Sequence, residues 1–139
     1  MANRSSEKGT RRERELVGMF DDAGFGVLRA PASGSATVRE LPDLVAARGP
    51  GFGWTCMLII EAKATHNGYV RLDPEEIKAI LTYAKLSGGL EYVAVRPDRD
   101  RWHFYRVEDL NETAGGAYSV KQSMEGKTFE EVVEECNWK

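Results

Sequence analysis

The chain has 139 residues, 42% of them hydrophobic and 29% charged, with a formal net charge of −3 at pH 7. Those values describe one globular domain, 1–139, large enough for a proper core, and exclude a disordered or low-complexity polypeptide. No apolar run approaches a membrane span and the N-terminus lacks a signal-peptide core, so a cytoplasmic, intracellular location is expected. A net acidic chain is not an obvious nucleic-acid binder. The charge is uneven, however: ten basic and eight acidic residues precede Asp73, against nine and fourteen from there on. The basic excess sits in the N-terminal half, where Arg4, Lys8, Arg11, Arg12 and Arg14 crowd the start.

Residues 1–5 are expected to be disordered. Ser6 and Glu7 can begin a helix that runs to about Ala23 and stops at Gly24, with Leu16, Val17, Met19, Phe20 and Ala23 as its apolar stripe. Glu13 lies one turn before Leu16 and Val17, on the inward side. A carboxylate there is costly unless it is paired or bound to a metal. The ordinary alternative is a rim carboxylate paired with Arg11, Arg12 or Arg14. Glu15 faces elsewhere and reads as surface.

Residues 25–30 form a first strand, followed by a loop rich in small and hydroxyl side chains from Pro31. Such a loop can present serines or backbone N–H groups to phosphates, though linker composition explains it as well. A second strand spans 42–48, Gly49 to Gly53 make a turn, and a third strand spans 54–64. The two cysteines, Cys56 and Cys136, show no metal-ligand spacing. Cys56 falls in the third strand and reads as a small buried hydrophobe in a reducing compartment.

Residues 69–72 are a short extended piece. Asp73-Pro74-Glu75-Glu76 is a helix start, with an N-cap, proline in the first turn and acids near the positive end of the dipole. Ile77, Ile80, Leu81 and Ala84 give its buried stripe and Gly88-Gly89 its end. Further strands are expected over 91–96 and 102–107, an irregular segment over 108–127, and a short acidic helix over 128–136. Helix, three strands, helix, two strands describes an α/β sandwich around a mixed sheet. The first three strands would form an antiparallel meander, and the helix over 73–88 the crossover to the fourth.

The chemistry concentrates in two pieces of that meander. The third strand is apolar through Ile60 and then presents Glu61-Ala62-Lys63. Side chains alternate across a strand, so Glu61 and Lys63 share a face that Ala62 does not. Pro42-Asp43 opens the second strand, and pairing of the two strands would bring Asp43 and Glu61 together. Converging carboxylates suit a hard divalent cation such as Mg²⁺, and an adjacent lysine can orient a water or stabilise developing charge. Each piece alone is weak, since Pro-Asp is a common turn pair and strand ends often carry solvated charges. In this order, after apolar strands, they form the Pro-Asp…Glu-x-Lys pattern of nuclease cores. His66 follows in a solvated turn and His103 lies between Trp102 and Phe104 on a strand; neither is given a role.

With these residues in place, the chain resembles the archaeal Holliday-junction resolvases, nucleases of the restriction-endonuclease-like fold. The resemblance covers roughly residues 7–107. It rests on Lys8-Gly9, on Arg12-Glu13-Arg14-Glu15-Leu16, and on Phe25, Val27 and Arg29 after Gly24. The loop Pro31-Ala32-Ser33-Gly34-Ser35, Pro42-Asp43-Leu44, Ile60-Glu61-Ala62-Lys63 and Tyr69-Val70 continue it, with Tyr83-Ala84, Gly88-Gly89, Ala94-Val95-Arg96, Trp102 and Phe104 beyond. The fold it implies is a restriction-endonuclease-like sandwich, a central five-stranded mixed sheet flanked by helices.

The resemblance also implies roles. Glu13, Asp43 and Glu61 would ligate Mg²⁺, for which Mn²⁺ can substitute, with the backbone carbonyl of Ala62 as a further oxygen. Lys63 would be the catalytic lysine. Arg14 and Arg29 match DNA-contacting arginines, and Lys8 and Arg11 add phosphate-neutralising charge. Ser33, with Ser35 as an alternative, matches a loop serine near the scissile phosphate. Tyr83 matches an aromatic at a dimer surface. The implied activity is endonucleolytic resolution of branched DNA, the four-way junction, by a homodimer acting in recombination and repair at the nucleoid. A nuclease of the same fold acting on another DNA, and a non-catalytic DNA-binding module, are the alternatives. Departures from the family pattern are Ala62 where many relatives have valine, Ser87 where a second aromatic is usual, and the stretch beyond Arg106, which finds no clear match.

Overall fold

The computed structural model describes residues 4–30, 41–49, 54–121 and 124–137. Helix α1 (Arg4–Asp22) buries Leu16 and Phe20 completely, and Gly24 terminates it in the left-handed region at φ 89°. It starts at Arg4, two residues before the expected Ser6, and residues 1–3 of the segment expected to be disordered lie outside the described residues. A helix docked this firmly needs no strong former in its first turn.

Strands β1 (Gly26–Arg29), β2 (Leu44–Arg48) and β3 (Cys56–Thr65) form the expected antiparallel meander, with Arg29 opposite Leu44 and Leu44 opposite Ile60. After β4 (Val70–Leu72), α2 (Pro74–Ser87) crosses over to β5 (Leu90–Pro97), which pairs with β3 in parallel, and β6 (His103–Tyr105) pairs antiparallel with β5. The central sheet is five-stranded, in the order β1-β2-β3-β5-β6. Strands β3 and β5 are apolar nearly throughout because both their faces are covered. Gly89 sits where the crossover descends onto β3. A Cβ there would stand 2.9 Å from the Met57 carbonyl oxygen and 3.0 Å from Ile59, so only glycine passes.

Two apolar clusters sandwich the sheet. On one face Leu16, Phe20 and Phe25 pack with Leu44, Ile60, Phe104 and Val132. On the other, Ile77, Ile80 and Ala84 of α2 pack on Ile59, Val93 and Val95.

Three expectations need correction. The first is the segment after β6, expected to be irregular over 108–127. It holds a 3-10 turn (Val107–Asp109) and strands β7 (Asn111–Glu112) and β8 (Tyr118–Val120), which join β4 in a second sheet of order β4-β8-β7. Val107, Leu110 and Val120 cover the α2 face of the core. Strands this short carry too little alternation to be read from sequence.

The second concerns the cysteines. Helix α3 (Phe129–Glu135) starts at Thr128, whose hydroxyl accepts from the Glu131 amide at 3.1 Å while Glu131 accepts from the Thr128 amide at 3.0 Å. Cys136 caps its end and forms a disulfide with Cys56 at the start of β3, so neither is a free thiol. The fold brings their Cα atoms to 5.3 Å across a sequence separation of 80 residues, which spacing cannot reveal.

The third is Glu15, read above as plain surface. It accepts from the Trp102 indole at 2.8 Å, from Arg96 at 3.2 Å and from Arg12 at 2.9 Å, pinning α1 to the far edge of the sheet. Its carboxyl is held below the usual range: burial works the other way but is outweighed by these donors and by the two guanidinium charges. No helix among the described residues is long and apolar enough to cross a membrane.

Candidate active site

Asp43 is the last residue before β2, Glu61 follows Ile60 in β3, and Leu44 stands opposite Ile60, so the two acids arrive side by side. The carbonyl of Asp43 accepts from the Ala30 amide at 2.8 Å, and its carboxylate accepts from the Ala62 amide at 2.9 Å. The first bond fixes its backbone to β1 and the second fixes its side chain to β3. Ala62 turns the other way and packs on the α1 face of the core, while the Lys63 ammonium lies 3.9 Å from Glu61. The alternation expected of Glu61-Ala62-Lys63 holds. The methyl of Ala62 packs against core side chains, on the face away from Glu61 and Lys63.

The crossover adds a residue that sequence reasoning took only as a helix-start acid. Glu76, in the first turn of α2, accepts from the Asp73 amide at 3.1 Å with one oxygen. With the other it forms a short charge-assisted hydrogen bond to Lys63. A side-chain hydrogen bond also joins it to Glu61. Its distance along the chain from Lys63 carries no hint of this contact. Only the packing of α2 over β3 creates it.

Burial dominates the electrostatics. It pushes the Asp43 carboxyl up to about 6, with Glu13 adding to the rise and the Ala62 amide and Lys63 opposing it. Burial also pushes Glu61 up to about 10, reinforced by Asp43 and by a hydrogen bond to Glu76. Burial raises Glu76 too, but Lys63 and Glu61 more than offset it, and its carboxyl lies below the usual range. Lys63 is raised: burial disfavours its charge, and Glu76, Glu61 and Asp43 together outweigh that. Asp43 and Glu61 are thus buried acids whose charge the protein itself does not balance.

The remaining expected residues fall around this centre. Glu13 is half-buried on α1, close enough to Asp43 for its charge to count, and its ion-pair partner at 3.4 Å is Arg29 of β1, not one of its helix neighbours. Arg11 and Arg14 are exposed on α1. Lys8 pairs with Asp98 at 2.5 Å, and Asp98 also binds the exposed His66 at 2.8 Å. His103 pairs with Asp100 at 3.0 Å, in a structural contact. Ser33 and Ser35 lie outside the described residues. Among the described residues, no three acidic, histidine or cysteine side chains stand ready as a metal cage. Of the expected ligands, Asp43 and Glu61 stand side by side, and Glu13 is held by Arg29.

Comparison with known proteins agrees with this architecture. The family model described as archaeal Holliday junction resolvase (hjc) matches residues 4–139. The chain is 33% identical over 136 residues to the crossover junction endodeoxyribonuclease Hjc of Sulfolobus acidocaldarius, covering 96% of this chain and 90% of that protein. It is 32% identical over 119 residues to the same enzyme of Sulfurisphaera tokodaii, covering 85% and 78%. The solved structure of Archaeoglobus fulgidus Hjc, a Holliday junction resolvase, superposes with a TM-score of 0.77 at 30% identity, over 91% of this chain and 96% of that one. With a family match running nearly from end to end, and the five-stranded sheet of a restriction-endonuclease-like fold beneath it, this chain belongs to the archaeal Holliday junction resolvase family.

Proposed function

We propose that the protein is a crossover junction endodeoxyribonuclease that resolves four-way DNA junctions by metal-dependent hydrolysis of phosphodiesters. The observation that carries this reading is the pairing of Asp43 with Glu61 beside Lys63, in a chain that the archaeal Holliday junction resolvase model matches over residues 4–139.

The residues fit a divalent cation. Two carboxylates whose pKa values burial raises, with Asp43 adding to the rise at Glu61, are short of positive charge, and Mg²⁺ is held by one or two carboxylates plus water and substrate oxygens. Asp43 and Glu61 would hold it, with the Ala62 carbonyl as a further oxygen and Glu13 joining once Arg29 releases it. Bound there, the metal supplies Lewis-acid polarisation of the phosphoryl group and a water of lowered pKa. Lys63 places a fixed positive charge next to Glu61, where charge develops on the phosphate oxygens. The exposed Arg11 and Arg14 meet backbone phosphates. Arg29, once free of Glu13, does the same, and Lys8 when it leaves Asp98. Recognition is of branched shape, because phosphate contacts carry no base sequence, and affinity falls with rising salt. Ser33 would sit near the cleaved bond.

A homodimer, one subunit per cleaved strand, accounts for exposed apolar side chains on α2: Tyr83 is 37% exposed and Leu86 76%. The protein then works wherever the cell keeps its DNA.

Cleavage of a synthetic four-way junction with Mg²⁺ tests the reading. Wild type should cut symmetrically and prefer the junction over linear duplex of the same sequence, while Asp43→Asn and Lys63→Ala should be inactive. Mutants that cut like wild type would remove the assignment. Equal cutting of linear duplex would leave a nuclease of another specificity.

A further inference from the structure

We propose that Glu76 is a positioning residue for Lys63: α2, and not the lysine's own strand, sets where the ammonium stands. The inference rests on the nuclease reading above and adds a residue to it.

Lysine is a long chain with rotatable bonds, and an untethered ammonium disperses over many rotamers. Strand β3 fixes the Cα of Lys63 but leaves its tip undetermined. Glu61 lies 3.9 Å from that tip, beyond hydrogen-bond range. Among the described residues, the short contact belongs to Glu76. Glu76 is itself held at both ends. One oxygen receives the Asp73 amide at 3.1 Å, and the helix that carries it is seated by the buried Ile77 and Ile80. Capping needs one carboxylate oxygen. The other points into the site and meets Lys63. A group meant only to cap the helix would leave that oxygen in water, yet the Glu76 side chain is 20% exposed. Correct orientation of a reacting group is worth a large share of a catalytic barrier, and slight misplacement costs about 100-fold.

The substitution Glu76→Gln separates the two roles. Glutamine at this helix position still accepts the Asp73 amide, so folding is retained, but it lacks the charge and the second oxygen that hold Lys63. In metal-free protein, the side-chain NH₃⁺ resonance of Lys63 should be observable by NMR in wild type and lost to solvent exchange in Glu76→Gln. With Mg²⁺, single-turnover cleavage of the four-way junction should fall by about 10- to 100-fold. Junction affinity in Ca²⁺ and the melting temperature should stay at wild-type values. Glu76→Ala removes the cap as well, and should lower both rate and stability.

A Glu76→Gln protein that cuts at the wild-type rate, or retains the Lys63 resonance, overturns the proposal and leaves Glu76 as a helix cap. A rate that drops only in step with lost folded protein overturns it too. If wild type itself fails to cut, the nuclease reading falls with the catalytic part of the proposal, and the NMR signal alone decides whether Glu76 holds Lys63.

Discussion

The carboxylate of Asp43 is clasped across the strand boundary by the backbone amide of Ala62, at 2.9 Å. Asparagine can accept the same bond through its side-chain oxygen, so Asp43→Asn removes charge and little geometry. Burial raises the Asp43 pKa from 3.8 to about 6, so between those values the native state binds more protons than the unfolded state. Stability therefore falls as pH rises through that window and stays lower above it. Asp43→Asn should abolish cleavage and, in metal-free protein at pH 8, raise stability by about 2 kcal/mol, with no gain near pH 3. Denaturant titrations in chelator at the two pH values check this. Equal stability at pH 8 would mean that Asp43 is not held against its charge.

The same imbalance predicts how a divalent cation acts. A cation bound between Asp43 and Glu61 must displace the protons that burial keeps on them. Millimolar Mg²⁺ should therefore raise the melting temperature at pH 8, and by clearly less at pH 5. Asp43→Asn should lose the effect. Thermal melts with and without Mg²⁺ decide the matter, since a gain independent of pH, or one that persists in Asp43→Asn, places the ion elsewhere.

Glu15 carries a prediction that its position in the sequence hides. It joins Arg12 of its own helix to Arg96 of β5 and Trp102 before β6. Removing the carboxylate strands an indole N–H and two guanidinium groups. Glu15→Ala should cost about 2 kcal/mol, far more than a surface substitution. Because its folded pKa is depressed, this contribution is present above pH 4.5 and lost as the pH falls below it. Urea titration at pH 7 and pH 3 measures both; a loss below about 0.5 kcal/mol at pH 7 would return Glu15 to the surface class.

What the sequence discloses and what it hides divide along one physical line. The meander, the crossover and the pairing of Asp43 with Glu61 follow from local patterns: apolar runs, an N-cap with proline, and strand alternation. Glu13, Glu15, Lys63 and Cys56 meet Arg29, Trp102, Glu76 and Cys136, and each contact is set by the packing of one element against another. Residue type signals a charge or a thiol but not the group it will meet. The anchoring role of Glu15 was unreadable because two of its three partners, Arg96 and Trp102, lie more than 80 residues on, and the second sheet because its strands are two or three residues long.

The disulfide gives the last prediction. It ties the start of β3 to the end of α3, which also packs through Phe129, Val132 and Val133 and is held by Arg48 at the Val133 carbonyl and by the contacts of Glu135 with Tyr92 and Lys127. Closing a loop of 80 residues in the unfolded chain corresponds to about 4.5 kcal/mol in the chain-entropy account. Reduction, or Cys136→Ser, should therefore lower stability by about 3–4 kcal/mol and loosen α3 first. Cleavage at 25 °C should be unaffected while the protein stays folded, because Cys56 and Lys63 stand toward opposite ends of β3. Melts and single-turnover assays on oxidised and reduced protein separate the two effects. A reduced protein that remains folded but cuts slowly would show that the bridge acts on the site through the strand that both share.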